Sequence, residues 1–539
     1  MQTASHPRTV SASEVAALSP ENVAKMFNDQ GAEIAQLRHQ LEWFKRQIFG
    51  QKSERRLAVS TESQSSLGEE FAAKPEQQTA GKKTRIAEHE RNTKPKDGSS
   101  NDESALFFDE SKVPVETIYL DPETATGLNK DEFEVISEKV TYRLAQRPGS
   151  YVVTKYVRPV LKLRESGKLV SIPAPEGVIK GSRADVSFLA GVVVDKFAYH
   201  QPLYRLHRKL ADQGFKLSRP WLTQLMQQTI EALIPIFDAQ FDSIRLSRVK
   251  CMDETPIKAG VASPGKMKAA YFWPIYGELD EICFKFYPDR SAKNVEDALG
   301  LSPPDAAVLL TDGYAAYKQY AKKVGLTHAQ CWAHTRRKFF DSQDIEPERA
   351  KQALEMIGEL YVIEARLREQ ELTGEAKKAI RQREAKPLVN KFFTWVQKQF
   401  DSQGLLPSSP LTKALSYAHE RREGLEAYLN DSEVPIDTNH LERALRAIPM
   451  GRKNWLFCWT ETGAEHVGVV QSLLTTCRLH DIDPYEYLVD VLQRVKTHPP
   501  LQMGELTPRR WKELFAQNPK RSVLHLIDKM RKKQSNAAY

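Results

Sequence analysis

The chain is 539 residues long, room for roughly three to four folding units at about 100–200 residues each. Apolar residues make up 41% and charged residues 27%, and 78 Lys plus Arg against 70 Asp plus Glu leave a net charge of +8. That balance is ordinary for a globular protein and permits a nucleic-acid partner without requiring one. No apolar run approaches the roughly 18–20 residues of a membrane helix, and the first residues read as lacking a secretory signal. Cys251, Cys283, Cys331, Cys458 and Cys477 form no CxxC pair, which argues against a disulfide scaffold. Membrane and secreted classes are therefore excluded, and a reducing cytoplasm is the expected compartment.

Residues 15–50 predict a coiled-coil helix. Val23, Phe27, Ile34, Leu37, Leu41, Phe44 and Ile48 mark its apolar face, and from Ile34 the steps alternate between 3 and 4, the heptad spacing. Self-association into a homo-oligomer is the expected use, and packing of a lone amphipathic helix on its own domain is the alternative. Residues 51–112 are polar and predict a flexible linker, because they bury too little apolar surface to offset the ordering of their backbone.

Residues 113–180 read as a small β module with a hairpin turn at Glu165-Ser166-Gly167-Lys168. Residues 187–243 predict helices, two of them at Gln201–Gln213 and Ser218–Ile230 around a turn at Gly214. With Lys216 and Arg219 near the start of the second helix, the pair resembles a DNA-reading helix-turn-helix. A plain helical hairpin explains it equally well.

The chemistry is concentrated over 246–342 and 431–480. RVKCMDETPIKAG, MKAAYFWPIYGEL and EICFKFYPDR predict three antiparallel strands, followed by a helix at SAKNVEDALG. AAVLL gives a buried strand ending at Asp312, a helix follows over Tyr314–Lys323, and THAQCWAH reads as a fifth strand. This order predicts an RNase H-like α/β core within a multidomain α+β chain. Asp253 and Asp312 then meet at one edge of the ligand crevice, where two carboxylates call for a cation. Glu254 is expected on the opposite face of its strand. Residues 343–430 read as a charged helical insertion. After it, TNHLERALR predicts a helix capped by Asp437 or Thr438, with Asn439, Glu442 and Arg446 on one face.

The segments MDETPIK, TDGYAAY, CWAHTRRKF, TNHLERALR and GRKNWLF, in this order, resemble the insertion-sequence-66 family of bacterial DDE transposases. FGQKSER, VDKFAYHQPLYR and PYEYLVDVLQRV extend the resemblance over most of the chain outside the linker and tail. It implies that Asp253, Asp312 and Glu442 are catalytic acids binding two Mg²⁺ ions, with Mn²⁺ able to substitute. The implied reaction cuts DNA at the element's ends and joins the freed 3′-hydroxyls to target DNA. Asn439, Arg443, Arg446, Arg452 and Lys453 are then candidates for holding DNA, beside Lys216 and Arg219. Companion proteins encoded by the same element are implied as further partners, and nucleoid association follows from the DNA substrate.

The family carries Cys331 and His334 in CWAH, where packing or hydrogen bonding is expected over zinc. Family members usually have a small module with two Cys pairs ahead of the catalytic domain. The β module here has no cysteine, so a tetrahedral zinc site of that kind is not expected. Residues 481–539 predict a C-terminal helical region and a basic tail. Two other readings stay open: a Mg²⁺-dependent nuclease on the same fold, and a non-catalytic DNA-binding protein derived from a transposase.

Overall fold

The computed structural model describes Ser19, residues 106–525 and residue 527, apart from 124–126, 128, 148, 264–265 and 403–404. The helix expected over 15–50 and most of the linker expected over 51–112 lie outside the described residues. The chain divides into two compact units, Met1–Leu106 and Phe107–Tyr539, and every element below belongs to the second.

Phe107 and Phe108 are buried. Phe108 forms an antiparallel bridge with Phe215 and packs edge-on against Tyr142. The end of the segment assigned to the linker is therefore part of the fold, because two adjacent aromatic rings bury enough apolar surface to order it.

The first sheet comprises β1 (Val115–Tyr119), β2 (Phe133–Arg147), β3 (Ser150–Leu163) and β4 (Leu169–Ser171). β3 is central, parallel to β1 and antiparallel to β2 and β4. Three helices follow: α1 (Val186–Phe197), α2 (Leu203–Asp212) and α3 (Arg219–Leu246). Asp185 caps α1 by accepting from Ser187 N–H, and Ser218 caps α3 by accepting from Trp221 N–H. Gly214, at φ +95°, makes the turn between α2 and α3.

The second sheet carries the candidate site. Its strands are β5 (Val249–Met252), β6 (Thr255–Ser263), β7 (Lys266–Gly277), β8 (Glu281–Tyr287), β9 (Val308–Thr311) and β10 (Thr327–Gln330). α4 (Ala292–Leu299) connects β8 to β9, and α5 (Ala315–Val324) connects β9 to β10. Across the sheet the order is β10–β9–β5–β7–β6, and β8 also pairs with β7. β5, β9 and β10 run parallel, and β7 is antiparallel to β5, β6 and β8. The single strand expected through Asp253 is interrupted: β5 stops at Met252, and β6 resumes at Thr255 along another stretch of β7. The fifth strand is also shorter than expected, since Trp332 to His334 open a helix instead.

The remaining helices are α6 (Trp332–Phe340), α7 (Pro347–Glu369), α8 (Gly374–Ile380), α9 (Lys386–Asp401), α10 (Pro410–Glu420), α11 (Arg422–Asn430), α12 (Asn439–Leu445), α13 (Ala447–Trp455), α14 (Glu461–Leu479), α15 (Pro484–Arg494) and α16 (Pro508–Leu514). A π-helical turn, Arg381–Ala385, joins α8 to α9. α3 and α14 both pack on β8. α3 was expected to end at Ile230 but continues through Pro235, burying Leu233, Ile236, Phe237, Phe241 and Ile244. Gln240 secures it, with Nε2 donating to Ile282 O at 2.8 Å and to Thr476 Oγ1 at 3.0 Å. The burial of that face outweighs the lost backbone hydrogen bond at the proline. Among the described residues, no helix is long and apolar enough to cross a membrane.

Candidate active site

Two parallel strands place the first pair of acids. Cys251 on β5 pairs with Leu310 on β9, so two residues further on Asp253 and Asp312 stand side by side where the strands end. The break between β5 and β6 removes the strand alternation at this point. Glu254, expected on the opposite face, turns to the same side. Asp253, Glu254 and Asp312 each offer an oxygen within 4.8 Å of the others, and this is the one such group of three ligating side chains among the described residues. Asp253 Oδ1 accepts from Glu254 N–H at 2.8 Å, and Asp312 Oδ1 from Tyr314 N–H at 2.9 Å.

Burial, reinforced by the Glu254 and Asp312 carboxylates, pushes Asp253 up to about 7 despite the Glu254 N–H and nearby His334, which favour its charged form. Burial also raises Glu254, although the Tyr317 hydroxyl works against it. Three acids so placed repel one another and fit a hard cation with oxygen ligands, whose charge would hold all three ionised. Glu254 has the least freedom to serve it. Its side chain is 4% exposed, Oε2 accepts from Tyr317 OH at 2.5 Å, and Oε1 accepts from Arg290.

Glu442 stands apart from that group. It lies in the first turn of α12, its side chain is 41% exposed, and its Oε1 is 3.7 Å from His334 Nε2. Among the described residues, no other side chain engages its carboxylate. Thr438 occupies the cap position of α12, but its hydroxyl turns to Cys331 Sγ at 3.3 Å. Asp437 instead accepts from Asn439 N–H at 3.0 Å and from its side-chain amide at 2.6 Å. α12 ends at Leu445, and Arg446, still right-handed helical at φ −54°, ψ −26°, is the junction to α13.

The candidate DNA contacts fall in two places. Asn439, Arg443, Arg446 and Lys453 are exposed around α12 and α13, and Arg452 donates to Pro256 O on β6. Among the described residues none of Arg443, Arg446, Arg452 or Lys453 forms an ion pair. The tail differs: Arg509 pairs with Glu281 at 3.3 Å, Arg510 with Glu513, and Arg521 with Glu486. Lys216 and Arg219 are exposed at the turn before α3, where Arg219 lies 4.5 Å from the centre of the Tyr204 ring. Cys331 is buried, with burial pushing its thiol up to about 11, and it accepts from both the N–H and the hydroxyl of Thr438.

Sequence reasoning missed Arg290, Tyr317, Tyr417 and Arg421. Tyr417 OH donates to Asp312 O, and Arg421 donates to Gly313 O at 3.3 Å, so α10 and its end brace the Asp312 turn. Only Tyr317 carried a signal, three residues after Tyr314 on a helix that starts at the acid. The others arrive from distant segments.

Residues 181–466 match the family model described as "Transposase IS66 family", and 472–509 match "IS66 C-terminal element". Residues 36–100, outside the described residues, match "Transposase C of IS166 homeodomain". The chain is 28% identical over 512 residues to the uncharacterized protein y4hP of Sinorhizobium fredii, covering 90% of each. It is 29% identical to that organism's uncharacterized protein y4qI over 504 residues, covering 90% of this chain and 89% of the relative. With the family model spanning the second sheet, its acids and α12 in one continuous match, the chain belongs to the IS66 family of transposases.

Proposed function

We propose that this chain is a DDE-type transposase that cuts DNA at the ends of its element and joins the 3′-hydroxyls to target DNA. The observation that carries this reading is Asp253 beside Asp312 at the ends of adjacent parallel strands. The sheet, in which β7 is antiparallel to β5, β6 and β8 while β9 and β10 run parallel to β5, supports an RNase H-like core. Asp253 and Asp312 would hold Mg²⁺, or Mn²⁺ in its place, and Glu442 would supply the third carboxylate. A divalent cation held there would supply Lewis-acid activation of the attacking oxygen and charge stabilisation of the leaving oxygen at phosphorus.

The protein's own residues divide the remaining work. Glu254 is tied at both oxygens, so it positions Asp253 and keeps Arg290 and Tyr317 in place rather than serving as the free ligand. Glu442 has a half-exposed carboxylate beside His334, with no tight partner, which suits a ligand that closes on the substrate complex. Arg443, Arg446, Arg452 and Lys453 lack carboxylate partners and bind DNA phosphates, with Asn439 beside them. DNA as partner follows from family membership. A homo-oligomer, held through the coiled coil expected over residues 15–50, and companion proteins of the element belong to the same proposal.

The test is cleavage and joining of labelled DNA carrying the element's ends, with Mg²⁺ or Mn²⁺. Asp312→Asn should abolish both products while leaving DNA binding intact. Products that are cut but never joined would favour a nuclease on this fold. Equal activity of wild type and Asp312→Asn would overturn the site.

A further inference from the structure

Past the acids, the edge of β6 is covered by the segment between α13 and α14. Cys458 N–H donates to Lys258 O at 2.9 Å, and Gly260 N–H donates to Cys458 O at 3.1 Å, so this segment runs beside β6 as a short parallel bridge. Getting there requires an abrupt turn at Leu456, which sits at φ +65°, ψ −55°. A bulky residue rarely adopts that conformation, which persists only where the surroundings enforce it. The turn pushes apolar surface outward: Leu456 is 65% exposed and Trp459 is 70% exposed. The Phe457 ring meets Trp459 edge-on, centroids 5.3 Å apart at 84°, which fixes the orientation of the indole.

The charge around this ring is one-sided. Arg452 and Lys453 come from the last turn of α13, and Lys258 is exposed on the strand that Cys458 pairs with. Glu461, the acid just beyond, is neutralised by Lys268 at 2.7 Å. An exposed, pre-oriented indole among cations without carboxylate partners does not suit an apolar protein surface. It suits a polyanion with flat faces. Ala259, beside which the segment pairs, lies six residues beyond Asp253, within roughly 20 Å of extended chain from the acids.

We propose that Trp459 is a stacking platform for an unpaired base of the DNA strand, with Arg452, Lys453 and Lys258 on the adjoining phosphates. Stacking on an aromatic face suits any base, and the cations follow the backbone. Cutting at an element end leaves frayed strand termini, the nucleotides easiest to unstack, and a platform there would keep one strand from wandering between cutting and joining. This inference rests on the DNA-processing function proposed above.

The test uses the full chain in EDTA, so that catalysis plays no part, with two probes. One is a blunt duplex, and the other is the same duplex with a single-stranded thymidine overhang carrying 2-aminopurine. Wild type should bind both in a salt-dependent way and quench the 2-aminopurine. Trp459→Ala should bind the overhang probe roughly ten- to a hundredfold more weakly, lose the quenching and bind the blunt duplex as before. Trp459→Phe should keep most of the overhang affinity. Unchanged quenching and affinity in Trp459→Ala, or equal losses on both probes, would overturn the platform while leaving the DNA reading standing. A change in oligomeric mass with normal DNA binding would overturn it in favour of a protein contact. Wild type that binds neither probe would sink the DNA reading itself, and the platform with it.

Discussion

Asp253, Glu254 and Asp312 are three acids forced together without a neutralising group of equal charge, and that crowding has a thermal signature. Asp253 is raised to about 7, well above its ordinary 3.8, so its neutral form contributes stability below 3.8 that is lost as pH rises through 7. At pH 8 without divalent cation, Asp253→Asn should therefore melt higher than wild type, by about 2 °C or more. Mn²⁺ should raise the melting temperature of wild type but not of the variant, reversing their order. Equal melting temperatures in both conditions would mean the acids do not share a cation. The cleavage assay separates Glu442 from Glu254: Glu442→Gln should abolish cleavage, whereas Glu254→Gln should lower it and shift its pH profile. The reverse ranking would make Glu254 the ligand. Asp253 and Asp312 were legible as a pair in the sequence because one falls within a readable strand and the other ends one. The turn of Glu254 was not, because strand alternation assumes an unbroken strand, and β5 breaks after Met252.

Among the elements, the edge strand β10 carries a pH-dependent load. Burial first, then the positive charges of Lys318 and Arg421, push His328 down to about 4, and its Nε2 is 2.9 Å from Thr311 Oγ1. The unfolded chain takes up a proton near pH 6.5 and the folded one only near 4. Stability is thus present above 6.5 and lost as pH falls toward 4. Melting followed over that window should fall less steeply for His328→Gln than for wild type, and parallel slopes would refute a neutral His328. α14 meets the same sheet at Gly468, where an added Cβ would lie 2.3 Å from Phe284 O. Gly468→Ala should destabilise by about 1–3 kcal/mol in denaturant unfolding, since backbone on both sides leaves little room to yield. Caps at Ser218 and strands at β7 to β9 were visible as local pattern. The extension of α3 through Pro235 was not, because only the sheet beneath it supplies the burial that keeps a proline in a helix.

For the whole molecule, the distribution of charge says more than its sum. The net +8 is modest, and the described tail arginines are largely spent on internal pairs. The cations around α12 and α13 are not. Replacing Arg446 or Lys453 with Ala should lower the slope of log affinity against log salt by about one for each residue, with little change in melting temperature. The same change at Arg510 should leave the slope alone. Sequence counts could not separate these groups, because pairing depends on which carboxylates the fold brings near.

Arg381 shows what joins the helical insertion to the chemistry. It is fully buried, its Nε and Nη2 donate to the Glu364 carboxylate at 2.8 Å each, and its Nη1 donates to Tyr428 O, Asp431 O and Val434 O. One guanidinium thus rivets α7 to the stretch of chain that leads into α12 and Glu442. Breaking such a pair from one side costs about 3–5 kcal/mol. In practical terms, on heating, the helix bearing Glu442 should stay on the sheet for as long as the insertion holds. Loss of strand joining and loss of helical signal should follow a single curve in wild type, and Arg381→Met should split them, with activity disappearing first.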